Sequence, residues 1–165
     1  MVGFDGTPAS EQALREAAQL LAPRAVLVVV VWEPGRAYEL AEMPIRVLEI
    51  PPSPIDVRTA TEVDKQLYEA AERTAHQGAV LATELGLQAE GRTVADDVTV
   101  AQTLIRVARE ADAPALVVGA HGHGALRELF LGSTTREVLK DAECPVVVVR
   151  ERADHGEDPP ERPAD

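Results

Sequence analysis

Glycines and hydroxyl residues are spaced along one stretch of the chain in a way that could bind an anion. The stretch GAHGHGALRELFLGSTT contains, in order, Gly119, two residues, Gly122, nine residues, Gly132, Ser133 and Thr134. Glycines let a backbone approach an anion closely and present successive N–H groups to it. The two hydroxyl residues stand where the next helix is expected to begin, so its N-terminal N–H groups would face the same place. The spacing therefore predicts a site for a triphosphate or a similar anion.

A plainer interpretation of the same stretch needs no ligand. The glycines could shape a turn, with Thr134 and Glu137 forming a capping box at the start of the helix. The anion interpretation also expects Gly132 to adopt a backbone conformation that only glycine reaches readily. Both interpretations stay open on the residues alone.

Asp5 has two interpretations of the same kind. It precedes Gly6, and an aspartate before a glycine commonly shapes a turn with its own side chain. It also follows the first predicted strand, and ligands of open α/β sheets bind beyond the carboxyl ends of strands.

Three other residues that could do chemistry have simpler explanations. His121 and His123 have no cysteine or carboxylate partner at ligand spacing, so we expect them to flank an anion rather than hold a metal ion. Cys144 precedes Pro145 and an aliphatic run, and core packing is its expected role. We therefore predict no metal site built from protein side chains.

The elements that must position these residues alternate between strands and helices. We predict strands over 1–5, 25–32, 87–94, 113–120 and 144–150, with helices over 8–22, 62–86, 99–112 and 134–143. Thr7 would cap the first helix, with Pro8 as its first residue, and Asp96 and Asp97 would cap the third. Residues 33–61 form a proline-containing excursion with a turn of helix near 38–43.

Almost wholly aliphatic strands indicate a sheet that helices cover on both faces. The second, fourth and fifth predicted strands are of this kind, which is typical of parallel strands. The pattern predicts an α/β fold, doubly wound and Rossmann-like, with a mainly parallel five-stranded sheet in the order 3-2-1-4-5. In that order the first and fourth strands are neighbours where the strand order reverses, so Asp5 and the Gly119 loop would meet there.

Composition and charge exclude several classes of partner. The net charge is −12, with 16 basic against 28 acidic residues, so no basic surface is available for nucleic acid or an anionic membrane. The longest apolar run, 25–32, is too short to cross a bilayer. One cysteine permits no internal disulfide, and no signal peptide is recognisable at the start. We expect a cytoplasmic protein whose domain spans 1–150, followed by a disordered acidic tail over 151–165.

Four stretches together carry a resemblance to a known family. The glycine spacing, the opening FDGTPASEQAL and the strands VVVVWEP and CPVVVVR resemble the universal stress proteins of the nucleotide-binding subgroup. The resemblance covers residues 1–150. It implies an adenine-nucleotide binder that senses or sequesters ATP. Because no general base, nucleophile or carboxylate pair is evident, rapid hydrolysis is not expected.

The resemblance also implies a role for each site residue. Asp5 would lie near the ribose, and the backbone around Val31 would contact the adenine edge. Gly119 and Gly122 would lie along the ribose and phosphates. The phosphates, bridged by Mg²⁺ or Mn²⁺, would accept hydrogen bonds from Gly132, Ser133 and Thr134. A homodimer is implied through the last strand, Cys144 to Arg150, which would lie exposed at a sheet edge.

Two alternatives differ in class. A domain of the same fold could bind no nucleotide and act through its dimer contacts. A phosphoacceptor receiver domain would need an aspartate after the third strand and a lysine after the fifth. Asp96 could serve as the first, but Arg150 stands after the fifth strand.

Overall fold

A computed structural model describes residues 1–22, 24–35, 57–96, 98–120 and 131–150. Several predicted features lie outside these residues: the helical turn near 38–43, Asp97, the loop positions His121, Gly122 and His123, and the tail 151–165.

The described elements alternate as predicted. In chain order they are β1 (Val2–Gly3), α1 (Pro8–Leu21), β2 (Ala25–Trp32), α2 (Val57–Glu84), β3 (Gln88–Ala95), α3 (Val100–Glu110), β4 (Leu116–Gly119), α4 (Ser133–Asp141) and β5 (Val146–Val149). The strands form one parallel sheet in the order β3-β2-β1-β4-β5, which confirms the predicted class and strand order. None of the helices in the described ranges is long and apolar enough to span a bilayer.

Local signals account for the ends of the first two helices. Thr7 caps α1 by accepting a hydrogen bond from Ser10 N, and Pro8 is the first helical residue, as predicted. Helix α2 ends at Glu84, two residues before Gly86, whose φ of +89° suits the residue after a helix. It begins at Val57 rather than at 62. Weak helix preferences of its β-branched first residues hid the start, and a helix this long overrides them.

Helices cover both faces of the sheet, and β2 contributes to the core on each side. Val28 and Val30 pack with Leu14 of α1 and with α2. Val29 packs on the other face with α3 and with Val138 of α4. This double burial explains why β2 is aliphatic from Ala25 to Val31 instead of alternating with polar residues.

Strand β1 is shorter than the predicted 1–5 because the chain turns out of the sheet. Its last pair with β2 joins Gly3 to Val29, and Phe4 N adds one bond to Val29 O at 2.9 Å. Strand β2 continues to Trp32 and β4 to Gly119. The space beyond β1, between the ends of β2 and β4, is called the β1 notch below. It lies where the strand order reverses.

Candidate functional site

Asp5 forms a turn at the base of the β1 notch. Its Oδ1 accepts hydrogen bonds from Thr7 N at 3.0 Å and from Thr7 Oγ1 at 2.6 Å. Gly6, inside the turn, has a φ of +75°, a conformation that side chains disfavour. The turn interpretation of Asp5 is therefore correct, and these bonds hold the carboxylate in a fixed orientation beside the notch.

A second set of hydrogen bonds ties this turn to the first turn of α1. Ser10 Oγ donates to Thr7 O at 2.9 Å and accepts from Asp5 N at 3.3 Å. Ser10 N donates to Thr7 Oγ1 at 3.3 Å. Because Ser10 is buried, these bonds are shielded from water and keep the chain rigid between β1 and α1.

Val31 directs backbone groups into the notch from the side of β2. The Val29 C=O points toward β1, where it accepts a hydrogen bond from Phe4 N. Alternate residues of a strand direct their peptide groups to the same side. Val31 N–H and C=O therefore point toward β1, two residues beyond the last pair of Gly3 with Val29. Its side chain packs against the core on the α3 and α4 face. The exit of β2 thus offers a donor and an acceptor side by side.

Two hydrogen bonds join the end of β4 to the start of α4. Gly132 N donates to Ala120 O at 2.9 Å, and Thr135 Oγ1 donates to Gly119 O at 2.8 Å. Ala120 and Thr135 are both buried. The structure therefore places Gly119, Gly132, Ser133 and Thr134 together at the carboxyl edge of the sheet.

The start of α4 corrects two expectations. Gly132 is the N-cap residue with a φ of −57°, so the prediction of a conformation reserved for glycine is wrong. The capping box is also wrong, because Glu137 Oε1 instead accepts from Thr99 Oγ1 and Gln102 Nε2, each at 3.0 Å. The N-cap residue is a glycine, so in the described part of the chain it provides no side-chain hydrogen bond to the first turn of α4. Its first-turn N–H groups and positive dipole end thus suit an anion.

Gly119 has a packing role that the sequence did not reveal. A Cβ atom built on it would lie 3.0 Å from the carbonyl carbon and oxygen of Ala9, and 3.1 Å from Ala9 Cβ. The first turn of α1 therefore lies directly against the end of β4. This close approach favours a glycine whether or not a ligand binds, because a side chain would need α1 to shift by a few tenths of an ångström.

Asp96 does not cap α3, contrary to prediction. Thr99 stands directly before the helix and accepts from Gln102 N at 3.1 Å. Asp96 Oδ1 accepts from Val98 N at 3.0 Å and from Thr103 Oγ1 at 3.3 Å, so it orders the loop before the cap. Cys144 packs against the core on this face, as expected.

The described residues contain no group of three or more His, Cys, Asp or Glu side chains that could hold a metal ion.

Two residues beside the site were missed by sequence reasoning. Asp64 accepts from Gly35 N with Oδ1 at 3.2 Å and Oδ2 at 3.0 Å. Tyr68 contacts Trp32 edge to face, with ring centroids 5.4 Å apart. Their four-residue spacing puts both on one side of the predicted helix, but nothing in the sequence shows that this side meets the end of β2.

Comparison with known proteins identifies the family. The model of the universal stress protein family matches residues 1–150. The universal stress protein YxiE of Bacillus subtilis is 27% identical over 150 residues, which cover 91% of this chain and 97% of that protein. The chain therefore belongs to the universal stress protein family. This membership, together with Arg150 after β5, sets the receiver-domain alternative aside.

Solved structures agree in fold. The hypothetical protein MJ0577 superposes with a TM-score of 0.71 at 18% identity, covering 93% of this chain and 96% of that one. A universal stress protein from Archaeoglobus fulgidus in complex with dAMP superposes with a TM-score of 0.53 at 22% identity, covering 90% of this chain and 94% of that one. A family member from Arabidopsis thaliana with AMP bound gives 0.60 at 16% identity, covering 94% of each chain.

Proposed function

We propose that this protein binds adenine nucleotides, ATP among them, in the β1 notch. The observation that carries the proposal is the position of α4, whose start is joined to the end of β4 beside the notch. Its N-cap residue, Gly132, provides no side-chain hydrogen bond to the first-turn N–H groups. A helix N-terminus at the carboxyl edge of a parallel sheet, where the strand order reverses, favours phosphate groups. The structures of relatives with AMP and dAMP support the choice of nucleotide.

The base end of the nucleotide is assigned to β2 and β1. Adenine presents a donor beside an acceptor along one edge, which matches the adjacent N–H and C=O of Val31. Asp5, fixed by Thr7, is assigned to the ribose, whose hydroxyls can donate to a carboxylate. Each group is held by backbone or buried contacts before the ligand arrives, which lowers the entropic cost of binding.

The phosphate end is assigned to Gly119, Gly132, Ser133 and Thr134. The Ser133 side chain is exposed and that of Thr134 is half-buried, so both hydroxyls are accessible to an anion bound at the first-turn N–H groups. Gly122 is assigned here from the family resemblance alone. Mg²⁺ or Mn²⁺ would be held by the phosphate oxygens and would offset the repulsion from a chain of net charge −12.

The activity that fits this site is sensing or sequestering the nucleotide rather than turning it over rapidly. The carboxylate of Asp5 is held in the turn by Thr7 and is assigned to the ribose rather than to an attacking water molecule. A protein that senses a nucleotide responds to it through a shift between its free and bound conformations.

We also propose a homodimer through β5, residues Cys144 to Arg150. Among the described strands, β5 lies at the edge of the sheet and pairs only with β4. An edge of four valines presents unpaired backbone groups to a second copy of the chain.

The direct test is a mass spectrum of nucleotide released from purified protein, with a calorimetric titration of MgATP into nucleotide-free protein. Released adenine nucleotide and a saturable binding curve are expected. Absence of both would favour the alternative, a family member that acts through protein contacts alone.

A further inference from the structure

Two contacts fasten the exit of β2 to helix α2. Gly35 N donates to both carboxylate oxygens of Asp64, and the ring of Tyr68 meets the ring of Trp32 at an interplanar angle of 67°. Both partners come from positions four apart on α2, so one side of one helix holds both ends of the segment 32–35. This pair of contacts is called the α2 clasp.

The clasp lies next to the backbone that faces the notch. Trp32 directly follows Val31, and its ring packs on the α1 and α2 face while Val31 packs on the opposite face. Beyond Gly3, β1 no longer supports this part of β2 on the notch side. On its other side β2 stays paired with β3 as far as Trp32, and Asp96 N donates to Trp32 O at 2.8 Å. The direction of the Val31 peptide groups therefore depends on this pairing and on what holds residues 32–35.

Tyr68 itself is held in place along α2. Its hydroxyl donates to Glu72 Oε1 at 2.7 Å, one turn further on. This bond raises the pKa of Tyr68 above its usual value, with the charge of Glu72 adding to the effect. The ring contact with Trp32 uses the apolar edge or face of the ring, so it does not need the hydroxyl.

We propose that Asp64 and Tyr68 are positioning residues for nucleobase recognition: through the α2 clasp, and together with the pairing of β2 to β3, they hold the direction of the Val31 N–H and C=O groups. The inference rests on the proposed function and deepens it by assigning part of the base affinity and base selectivity to two residues of helix α2. Because adenine and guanine present different donors and acceptors at the same edge, a displaced Val31 peptide loses affinity and selectivity together.

Two substitutions with matched controls separate positioning from general stability. Asp64→Ala removes both acceptors of Gly35 N–H, whereas Asp64→Asn keeps one. Glu69→Ala is the control for charge, since it removes an exposed carboxylate from the same helix, where its ion pair is with Lys65 at 3.9 Å. Tyr68→Ala removes the ring contact, and Tyr68→Phe keeps it.

The readouts are affinities for adenosine, ATP and GTP, together with thermal melting and Trp32 fluorescence. Trp32 is the one tryptophan of the chain, so its emission reports the clasp in unliganded protein. Asp64→Ala and Tyr68→Ala should lower the affinities for adenosine and for ATP by the same factor. That factor should be about tenfold, the scale of one redirected hydrogen bond. The preference for ATP over GTP should narrow, Trp32 emission should shift to longer wavelength, and Tyr68→Phe should behave as wild type.

Two results would overturn the proposal. One is adenosine affinity in Asp64→Ala equal to that in Glu69→Ala. The other is a loss for ATP but not for adenosine, which would assign the effect to the phosphate end. Wild-type protein that binds neither adenosine nor ATP would overturn the proposed function and this inference together. Binding by the wild type that the variants leave unchanged would overturn the clasp alone.

Discussion

Thr135 donates its hydroxyl to the carbonyl oxygen of Gly119 at 2.8 Å, and Thr135 is only 4% exposed. This buried bond joins the third residue of α4 to the last residue of β4. With the bond from Gly132 N to Ala120 O, it sets where the first turn of α4 begins. The position of the proposed phosphate site thus depends on a residue that the glycine pattern does not include.

The first prediction concerns Thr135. Replacing it with valine keeps its shape but leaves the Gly119 carbonyl without this donor, which should cost about 1 to 2 kcal/mol of unfolding free energy. Because the start of α4 then moves, ATP affinity should fall while adenosine affinity stays near wild type. Denaturant unfolding and calorimetry measure the two effects. Thr135→Ser, which keeps the hydroxyl, is the control. Equal losses of unfolding free energy and of ATP affinity in both variants would argue against this account.

The second prediction concerns Gly119. An alanine there would place its Cβ within 3.0 Å of the Ala9 backbone, so α1 and β4 must separate. Overpacking of this kind costs about 1 to 3 kcal/mol, and the melting temperature should fall accordingly. A thermal melt of Gly119→Ala that matches wild type would show that the packing is looser than described.

The third prediction concerns the proposed dimer. Val147 is half-buried and packs at the margin of the core, whereas Val149 is buried within it, so Val147→Lys probes the β5 edge with less disturbance of the core than Val149→Lys. Light scattering should show a dimer for wild type at micromolar concentration and a shift toward monomer for Val147→Lys. Val98→Lys introduces the same charge at an exposed position away from the edge and should remain dimeric. A wild-type monomer would rule out the proposed interface.

The fold followed from patterns that are local and repetitive. The unbroken aliphatic run of β2 predicted burial on both faces, and the capping residues Thr7 and Pro8 predicted the start of α1. These signals work because each is decided by residues within one or two turns of the position concerned. Asp5 belongs to the same class, since its turn is made with Gly6, Thr7 and Ser10, all within five residues of it.

The errors arose where a partner lies far away in sequence. Glu137 has the spacing of a capping box with Thr134, yet it bonds to Thr99, 38 residues away. The contact between Asp64 and Gly35 spans 29 residues. Gly132 was expected to have a positive φ because glycines in loops often do, but as an N-cap it adopts ordinary extended geometry. Which surfaces meet is decided by packing, and a single sequence does not record it.

The fourth prediction uses that geometry. Since the φ of Gly132 allows a side chain, Gly132→Asp should fold, and its carboxylate should cap α4 and raise stability by a few tenths of a kcal/mol. The same carboxylate would occupy the first-turn N–H groups and repel phosphate. ATP affinity should therefore fall by at least about tenfold, or roughly 1.4 kcal/mol. Gly132→Asn caps the helix without adding charge, so its ATP affinity should lie between those of Gly132→Asp and wild type.

Calorimetric titration of MgATP into nucleotide-free wild type and into Gly132→Asp tests the central claim most directly. The account predicts saturable binding by wild type, and weaker binding by Gly132→Asp together with an undiminished melting temperature. Wild-type protein that binds no ATP at millimolar concentration would contradict adenine-nucleotide binding. Equal affinity in the two proteins would contradict the placement of the phosphates at the start of α4.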